Sequence, residues 1–255
     1  MFVITGGGSG IGRALALSLS ARGEKVLIVG RRLEALLETQ KLAANIQFCQ
    51  ADVSTIEGQS RIVAMLNQQP LKGLIHNAGI LGPVVPLKEM TLSAWREVQA
   101  TNVDAPLFLT QALLSQLTHG RVLNISSGAA HFAAKGWSAY CVSKAALTQL
   151  TRCWQADYPS MSFSSVMPGV VDTSILDIVM AGPAVMDVEK VEFFRILKRE
   201  DRILTPDCVG SFLTWLLCET TPAEFSSKEW DIYDTTHHPL WLKSPHRVSS
   251  LEANA

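Results

Sequence analysis

Tyr140 and Lys144 form the pair whose spacing points most directly to chemistry. They lie four positions apart, which places a phenol and an ammonium on one face of a helix. A tyrosine with an ordinary pKa of about 10 is a poor acid at neutral pH, but an adjacent ammonium favours the phenolate and lowers that pKa. We therefore expect the pair to give a proton to an oxygen that gains negative charge, such as a carbonyl oxygen under hydride attack. The pattern alone is weak evidence, since a surface tyrosine beside a solvated lysine has the same spacing.

A hydroxyl donor and an amide precede that pair. Ser127 follows a predicted strand and comes thirteen residues before Tyr140. A serine at that place can donate a hydrogen bond to the same oxygen and stabilise its charge. Ser126 is the alternative, but neighbouring side chains point to opposite faces of a strand, so one of the two serines faces the site. Asn102 lies within the long predicted helix before that strand.

A glycine-rich loop, Thr5–Gly12, separates the first predicted strand from the first predicted helix. Its order is T-G-x-x-x-G-x-G, and Ile11 and Leu15 stand where the G-x-G-x-x-G fingerprint would need glycine. Glycines at such a turn let the backbone approach a pyrophosphate, whose charge the helix N-terminus stabilises. The predicted dinucleotide contacts in this loop are Gly6, Ser9, Gly10, Ile11 and Gly12.

The choice between the two nicotinamide cofactors is expected at the end of the second predicted strand. An acid there binds the ribose 2′-hydroxyl, whereas this chain has Arg31 and Arg32. Two guanidinium groups can bind a 2′-phosphate. The alternative is a solvated arginine pair, which positive charge at a helix N-terminus disfavours because it opposes the helix dipole. Glu34 lies too far into the helix to bind the ribose, so the sequence predicts NADP(H) rather than NAD(H).

The loop and the four polar residues together resemble the short-chain dehydrogenase/reductase family. Asn102, Ser127, Tyr140 and Lys144 match the family's catalytic tetrad, and the family spacing selects Ser127 over Ser126. The resemblance implies that Asn102 holds a water that relays protons to Lys144. It also implies that Lys144 holds the nicotinamide ribose.

The resemblance covers residues 2 to about 173 and implies further cofactor contacts. Asp52 and Val53 resemble the pair that contacts adenine. His76–Gly79 is similar to the family's N-N-A-G segment, with histidine in place of the first asparagine. Pro168–Thr173 resembles P-G-x-x-x-T, which holds the nicotinamide carboxamide. The implied contacts are Asp52, Val53, Asn77, Ala78, Gly79, Tyr140, Lys144, Pro168, Gly169, Val171 and Thr173.

Substrate recognition is expected in three loops, 80–86, 128–137 and 174–200, whose side chains are mostly apolar. Phe132, Leu176 and Met180 are examples. The predicted substrate contacts are Ser127, Trp137, Tyr140 and Asp231.

Two segments, Gly136–Cys141 and Trp230–Asp234, resemble the benzil reductase and sepiapterin reductase branch of the family. In that branch the acid at Asp231 anchors a pterin; the alternative is a solvent-exposed acid on an edge strand. The residues predict an NADPH-dependent carbonyl reductase that turns a ketone or a benzil-like vicinal diketone into an α-hydroxy ketone. The alternatives are a pterin reductase and a non-catalytic NADP(H)-binding sensor, for which Tyr140 and Lys144 would have no use. A sugar epimerase or dehydratase would need a longer chain.

Apolar segments that alternate with helical patterns position these residues. The predicted strands are Phe2–Ile4, Lys25–Val29, Ile46–Cys49, Gly73–His76, Val122–Ile125 and Ser162–Met167. The predicted helices are Ile11–Ala21, Leu33–Leu42, one that opens with a capping box at Ser54–Glu57, Leu92–Leu117, Ser138–Ala156 and Pro206–Leu217. This order predicts a single-domain, Rossmann-type, doubly wound parallel sheet of about seven strands, with helices on both faces. Residues 1–234 form the predicted domain, and 235–255 form a polar tail that either wraps it or frays.

Composition narrows the possible partners. The 255 residues carry 22 Lys and Arg against 23 Asp and Glu, so no basic excess favours nucleic acid. No run of 18 apolar residues predicts a membrane span, and no basic, apolar leader begins the chain, so we expect a cytoplasmic protein. His131, His237 and His238 lack acidic neighbours at ligand spacing, which argues against a metal site.

The five cysteines form no CxxC pair and are expected to be buried thiols. The resemblance to the family implies a homodimer or homotetramer formed through the long helices, and Leu147, Leu150 and Trp154 would offer apolar surface for it.

Overall fold

Short apolar segments pair side by side in the computed structural model, which describes residues 1–182 and 184–251. The strands are β1 (Phe2–Thr5), β2 (Val26–Gly30), β3 (Ile46–Gln50), β4 (Gly73–His76), β5 (Arg121–Ile125), β6 (Ser162–Met167) and β7 (Trp230–Asp231). They form one parallel sheet in the order β3-β2-β1-β4-β5-β6-β7. The order reverses direction between β1 and β4, where ligands bind in open α/β sheets. The predicted fold class is confirmed.

Helices connect the strands and cover both faces of the sheet. They are α1 (Gly10–Ala21), α2 (Leu33–Lys41), α3 (Ile56–Leu66), α4 (Leu92–Gln99), α5 (Ala105–Leu113), α6 (Ser138–Asp157), α7 (Ser174–Met180), α8 (Val188–Arg199), α9 (Pro206–Cys218), α10 (Pro222–Phe225) and α11 (His238–Trp241). Neighbouring residues of β1 belong to different cores, because strand side chains alternate. Phe2 and Ile4 pack with α1 and α9, whereas Val3 packs with α3 and α5.

The predicted helix Leu92–Leu117 is helical throughout but is not one α-helix. A π-helical turn, Ala100–Asp104, separates α4 from α5, and a 3₁₀ turn, Leu114–Leu117, ends the stretch. In an α-helix the carbonyl of Asn102 would accept from the N–H of residue 106, which is proline. A proline in a helix removes that bond and its ring clashes with the same carbonyl. The π turn therefore lies where Asn102 enters the site, as π-bulges often do at functional sites.

The capping box predicted at Ser54–Glu57 is wrong by one residue. Thr55 is the N-cap of α3, and its hydroxyl accepts from the Gly58 N–H at 3.0 Å. The Ser54 hydroxyl instead donates to the Asp52 carboxylate at 2.7 Å. Asp52 therefore stabilises the turn before α3 and does not cap the helix.

Two expectations about burial also need correction. Leu147 and Trp154 are buried within the chain, so they offer no surface to a second copy. Of the five free cysteines, Cys49 and Cys208 are buried, Cys153 is exposed and the other two are intermediate.

The segment after residue 234 wraps the domain as far as the structure describes it. Trp241 is buried, and its indole N–H donates to His237 Nδ1 at 2.8 Å. Further on, His246 contacts the Ser211 hydroxyl, and Arg202 donates to the Ser250 carbonyl. Residues 252–255 of the predicted tail and Pro183 of the predicted substrate loop lie outside the described residues.

Candidate active site

A cavity of about 740 Å³ opens at the carboxyl ends of the strands. The predicted site residues that line it are Gly6, Ser9, Gly10, Ile11, Arg31, Arg32, Asp52, Val53, Asn77, Ala78, Gly79, Ser127, Trp137, Tyr140, Lys144, Pro168, Gly169, Val171, Thr173 and Asp231. Gly12 and Asn102 do not line it; they lie behind residues that do. Residues far apart in the sequence thus meet around one space.

The glycine loop is shaped by close backbone approaches. Gly6 and Gly10 have φ of +68° and +50°, a region that favours glycine. A Cβ at Gly12 would lie 2.3 Å from the Gly6 carbonyl oxygen, so a larger residue is excluded there. Ser9, the N-cap of α1, makes no side-chain cap bond. The first N–H groups of α1 are therefore left to an anion, which is the environment a pyrophosphate needs.

Two arginines lie at one end of the cavity beside that loop. Arg32 Nη2 donates to the Ser9 hydroxyl at 3.0 Å. Arg31 Nη1 lies 3.8 Å from a carboxylate oxygen of Asp52, and both side chains are partly exposed. The guanidinium groups thus flank the space beyond the end of β2. The arrangement suits a phosphate carried on an adenosine ribose.

Thr5 joins the ends of β1 and β4, a role that the sequence analysis missed. Its hydroxyl accepts from the N–H groups of Asn77 and Ala78, at 3.0 Å each. The Asn77 side-chain amide in turn donates to the carbonyls of Thr5 and Gly6. Asn77 therefore holds the glycine loop in place. His76, which replaces the family's first asparagine, is buried and bonds the Thr110 hydroxyl at 2.8 Å.

Tyr140 lies in the interior of the site, on the first turn of α6. Its ring is 7 % exposed and meets Trp137 edge-on, with centroids 6.2 Å apart. Burial raises the pKa of Tyr140 above its ordinary value, and a hydrogen bond with the Ser127 side chain opposes that rise. The phenol is therefore protonated at neutral pH and is ready to act as an acid.

Lys144 does not bond the phenol directly. Its ammonium lies 5.7 Å from the centroid of the Tyr140 ring and donates to the Ile125 carbonyl at 2.7 Å. Burial lowers the pKa of Lys144 to about 8. Burial of the phenol is the largest influence on the pKa of Tyr140, and it raises that pKa. The structure therefore does not show the lowering by Lys144 that the sequence led us to expect.

Asn102 is buried beside Lys144, behind Gly79. Its amide nitrogen donates to the Ile80 carbonyl and to the Ser143 hydroxyl, both at 2.9 Å. Its amide oxygen accepts from the Ile80 N–H at 2.9 Å. A Cβ on Gly79 would lie 3.4 Å from Lys144 Nζ and 3.5 Å from Asn102 Oδ1. The side chain is thus engaged, which leaves the carbonyl in the π turn as the group suited to hold a water.

The two serines after β5 point to different surroundings. The Ser126 hydroxyl is buried and lies 2.7 Å from Thr148 Oγ1. The Ser127 hydroxyl accepts from the Ala129 N–H at 3.2 Å and bonds Tyr140. Ser127 is therefore the serine whose hydroxyl faces the phenol, as strand alternation requires.

The substrate end of the cavity is largely apolar. Trp137 stacks on Phe194 with centroids 6.3 Å apart, and this aromatic pair belongs to a buried cluster with Leu176 and Val179. Met180 packs against the cluster without lining the cavity. Lining residues that the sequence analysis did not name individually include Lys190, Phe193 and Phe194 of the predicted substrate segment 174–200, and also Tyr233 and Leu251.

Two polar groups occupy the rim of that end. The Lys190 ammonium lies 3.6 Å from the centroid of the Phe132 ring, a cation–π contact. Asp231 lines the cavity, and one of its carboxylate oxygens accepts from the Tyr233 N–H at 3.0 Å. Asp231 is therefore part of the wall and is half-buried.

The three histidines that the sequence analysis considered as metal ligands make hydrogen bonds with other residues of the chain. His131 bonds the Glu229 carboxylate, His237 the Asp231 carbonyl and His238 the Ile232 carbonyl. Over residues 1–182 and 184–251, no three His, Cys, Asp or Glu side chains group as metal ligands would. None of the helices in those ranges combines the length and apolarity needed to span a membrane.

The chain belongs to the short-chain dehydrogenase family of oxidoreductases. The family model described as short chain dehydrogenase matches residues 1–182, which include the glycine loop and all four tetrad positions. The resemblance inferred from the motifs is thereby confirmed.

Curated relatives lie in the branch that the motifs indicate. The chain is 33 % identical to the short-chain dehydrogenase/reductase FrzI of Cladobotryum sp., over 85 % of this chain and 88 % of that protein. It is 29 % identical to the benzil reductase of Bacillus subtilis that forms (S)-benzoin, over 85 % and 93 %. It is 31 % identical to the sepiapterin reductase of Rattus norvegicus, over 81 % and 86 %.

Solved structures share the fold. The crystal structure of the KRED1-Pglu enzyme superposes with a TM-score of 0.84 at 26 % identity, covering 90 % of this chain and 98 % of that one. A Beutenbergia cavernae protein described as an NAD(P)-dependent gluconate 5-dehydrogenase, solved with NADP bound at low occupancy, gives a TM-score of 0.77 at 27 % identity, covering 90 % of this chain and 93 % of that one.

Proposed function

We propose that this protein is an NADPH-dependent carbonyl reductase that converts a vicinal diketone to an α-hydroxy ketone, or a simple ketone to a secondary alcohol. The observation that carries the proposal is the pair formed by the buried Tyr140 and the partly buried Ser127, which lies beside Lys144 and lines a largely apolar cavity. A protonated phenol next to a second hydroxyl donor suits an oxygen that must be stabilised and then protonated.

The cavity fits a nicotinamide dinucleotide. The absence of side chains at Gly6, Gly10 and Gly12 leaves a cradle at the N-terminus of α1 that any Cβ would fill or distort. We propose that Asp52 and Val53 contact the adenine and that Lys144 contacts the nicotinamide ribose. The remaining contacts proposed are Asn77, Ala78, Gly79, Pro168, Gly169, Val171 and Thr173, all of which line the cavity. When bound, the nicotinamide supplies the hydride.

Arg31 and Arg32 support NADP(H) as the preferred form. Both guanidinium groups lie at the cavity end beyond β2, and no acid occupies the expected ribose position. A 2′-phosphate would accept charge-assisted hydrogen bonds from both. A structural neighbour described as NAD(P) dependent holds bound NADP, which agrees with a nicotinamide cofactor of either form.

Each polar residue of the site has a separate role in protonating the carbonyl oxygen. Ser127 donates a hydrogen bond to the carbonyl oxygen, which orients the substrate and stabilises the developing negative charge. Tyr140 Oη then gives its proton to that oxygen. The Lys144 ammonium stabilises the phenolate that remains, because opposite charges attract strongly in a buried site. Asn102, through its carbonyl in the π turn, holds a water that returns a proton towards Lys144.

The walls support an apolar substrate. Trp137 and Phe194 present aromatic surface next to Tyr140, and burial of apolar area contributes roughly 25 cal/mol per Å². A second carbonyl withdraws electrons from the first, so a vicinal diketone needs few polar anchors. Benzil combines both properties, and the chain is similar to a benzil reductase.

A pterin is the second candidate substrate, and Asp231 favours it. This carboxylate lines the cavity and accepts a hydrogen bond from the Tyr233 N–H on one of its oxygens. Its remaining acceptor capacity suits the ring N–H and amino groups of a pterin. The chain's similarity to a sepiapterin reductase agrees with this candidate.

We propose that the enzyme is a cytoplasmic homodimer or homotetramer whose partner in catalysis is a small carbonyl compound. Phe108 on α5 and Val142 on α6 are about half exposed and offer apolar surface in place of the buried Leu147 and Trp154. In this proposal residues 1–234 are the reductase domain and the segment from 235 closes over it.

A substrate panel tests the proposed function. The unmodified protein is supplied with a series of simple ketones, with diketones that include benzil, or with sepiapterin, and the loss of NADPH or NADH absorbance is followed. We expect turnover of benzil with NADPH and much slower turnover with NADH. Turnover of sepiapterin alone would favour the pterin candidate, and no turnover of any ketone or diketone would contradict the carbonyl reductase.

A further inference from the structure

Glu229 is a nearly buried carboxylate that lies outside the cavity. Hydrogen bonds connect it to residues on either side of Ser127, which follows β5. It precedes β7, and its side chain is 11 % exposed. Two side chains converge on it: Thr148 Oγ1 donates to one oxygen at 3.0 Å, and His131 Nε2 lies 2.8 Å from the other. None of the three residues lines the cavity. They therefore touch neither the substrate nor the cofactor.

The chain of hydrogen bonds continues from Thr148 to Ser126 with a fixed direction. Thr148 Oγ1 and Ser126 Oγ lie 2.7 Å apart, and both are buried. The threonine hydroxyl has a single proton, and it donates that proton to Glu229. Ser126 must therefore donate to Thr148. The order of donation is Ser126 to Thr148 to Glu229.

Glu229 is connected to both ends of the short segment that carries Ser127. The connection to one end passes through Thr148, and the connection to the other end is the direct contact with His131. Ser126 precedes Ser127 directly, and His131 follows it by four positions, after the 3₁₀ turn Gly128–Ala130. On the backbone side, the Ser126 N–H donates to the Val166 carbonyl at 2.8 Å. The segment is thus held at both ends by side chains that meet on one carboxylate.

We infer that Glu229 is a positioning residue, which fixes the Ser126–His131 segment through Thr148 and His131 so that the Ser127 hydroxyl stays aligned with Tyr140. The inference rests on the proposed function for its kinetic consequence, but the alignment itself is a property of the protein alone. A donor displaced by about 1 Å can lose on the order of 100-fold in rate.

Thr148 offers a matched pair of substitutions. Thr148→Val keeps the side-chain shape and removes the hydroxyl, whereas Thr148→Ser keeps the hydroxyl. We expect kcat for the diketone to fall about ten-fold in the valine variant and to stay within about two-fold in the serine variant. The KM for the diketone and the Kd for NADPH should remain unchanged in both. A valine variant that is less thermostable but has the kcat of the serine variant would overturn the inference, since the threonine would then be structural only.

His131 tests the other contact with little risk to folding, because its side chain is half exposed. His131→Ala should lower kcat several-fold without changing NADPH affinity, and the exposed His119→Ala is the control. Equal kcat for the two alanine variants would remove His131 from the proposed arrangement.

A readout that needs no substrate separates this inference from the proposed function. The chain has three tyrosines, so ring-labelled tyrosine gives three NMR signals, and Tyr140→Phe identifies the relevant one. The Ser127 hydrogen bond favours the phenolate, so its loosening in Thr148→Val should raise the midpoint of the Tyr140 titration, whereas Thr148→Ser should not. If the midpoint moves while no carbonyl compound is turned over, the proposed function fails and the positioning stands. If the midpoint is the same in both variants, the positioning is wrong.

Discussion

The Lys144 ammonium lies 5.7 Å from the Tyr140 ring centroid and donates to the carbonyl of Ile125. The lysine makes no direct hydrogen bond with the phenol, so its ammonium acts on Tyr140 through its charge. Burial shifts the two groups in opposite directions: it raises the pKa of the phenol and lowers the pKa of the ammonium to about 8. At neutral pH the phenol holds the proton to be given away, and the ammonium that stabilises the remaining phenolate is also protonated.

Carbonyl reduction should therefore lose rate as the pH rises through about 8, because Lys144 loses its charge there. The ammonium is present below that pKa and absent above it, so kcat/KM should fall about ten-fold per pH unit on the alkaline side. Lys144→Arg keeps the charge at all pH values used and should move the fall to higher pH, even if its absolute rate is lower. A profile whose alkaline limb is the same in both proteins would contradict this assignment.

Replacing both Arg31 and Arg32 with alanine should raise the KM for NADPH far more than the KM for NADH. Each lost charge-assisted hydrogen bond to the 2′-phosphate is worth about 1.5–3 kcal/mol. Arg22→Ala is a matched control, since this arginine pairs with Glu219 away from the cavity. Equal kcat/KM for NADPH and NADH in the unmodified protein would rule out the arginine preference.

His76 should make stability depend on acid pH. Burial lowers the pKa of His76 to about 3 from an ordinary 6.5. Between these values the unfolded chain binds more protons than the folded protein, so the free energy of unfolding falls as the pH falls, by up to about 1.4 kcal/mol per unit. His76→Asn should flatten that part of a Tm-against-pH curve, whereas His119→Asn, an exposed control, should not. Parallel curves for His76→Asn and the unmodified protein would refute this explanation.

Leu251 should affect substrate selection although it comes from the wrapping segment. Its side chain lines the cavity and packs against the cluster around Trp137. Leu251→Ala removes apolar surface, worth roughly 25 cal/mol per Å², and should raise the KM for benzil more than the KM for the small diketone butanedione. Leu240→Ala is the control, because Leu240 is exposed and does not line the cavity. The same effect on both diketones, or none, would argue against a contact.

The fold class and the glycine loop could be predicted because their signals are local. Strands such as β1 and β4 are apolar on both faces, which only a doubly covered parallel sheet tolerates. Gly6 and Gly12 are explained by approaches that a Cβ would prevent, and Gly10 by its positive φ. Tyr140 and Lys144 share one helix, so their spacing alone sets their relative placement.

Other features depend on contacts between distant parts of the chain and left no local pattern. Leu251 reaches the cluster of Trp137 only because the last segment wraps the domain. The Thr148–Glu229 bond joins residues 81 positions apart. The π turn at Asn102 did leave a signal, Pro106, whose missing N–H removes the α-helical partner of the Asn102 carbonyl.

The central claim is that Tyr140 protonates the carbonyl oxygen of a substrate reduced with NADPH. The most direct test compares the unmodified protein with Tyr140→Phe in single-turnover reduction of benzil, with NADPH binding measured separately. The account predicts that the variant binds NADPH as tightly as the unmodified protein and loses at least about 1,000-fold in rate, because the ring remains and only the acidic proton is gone. A phenylalanine variant that reduces benzil at a rate close to that of the unmodified protein would contradict the claim.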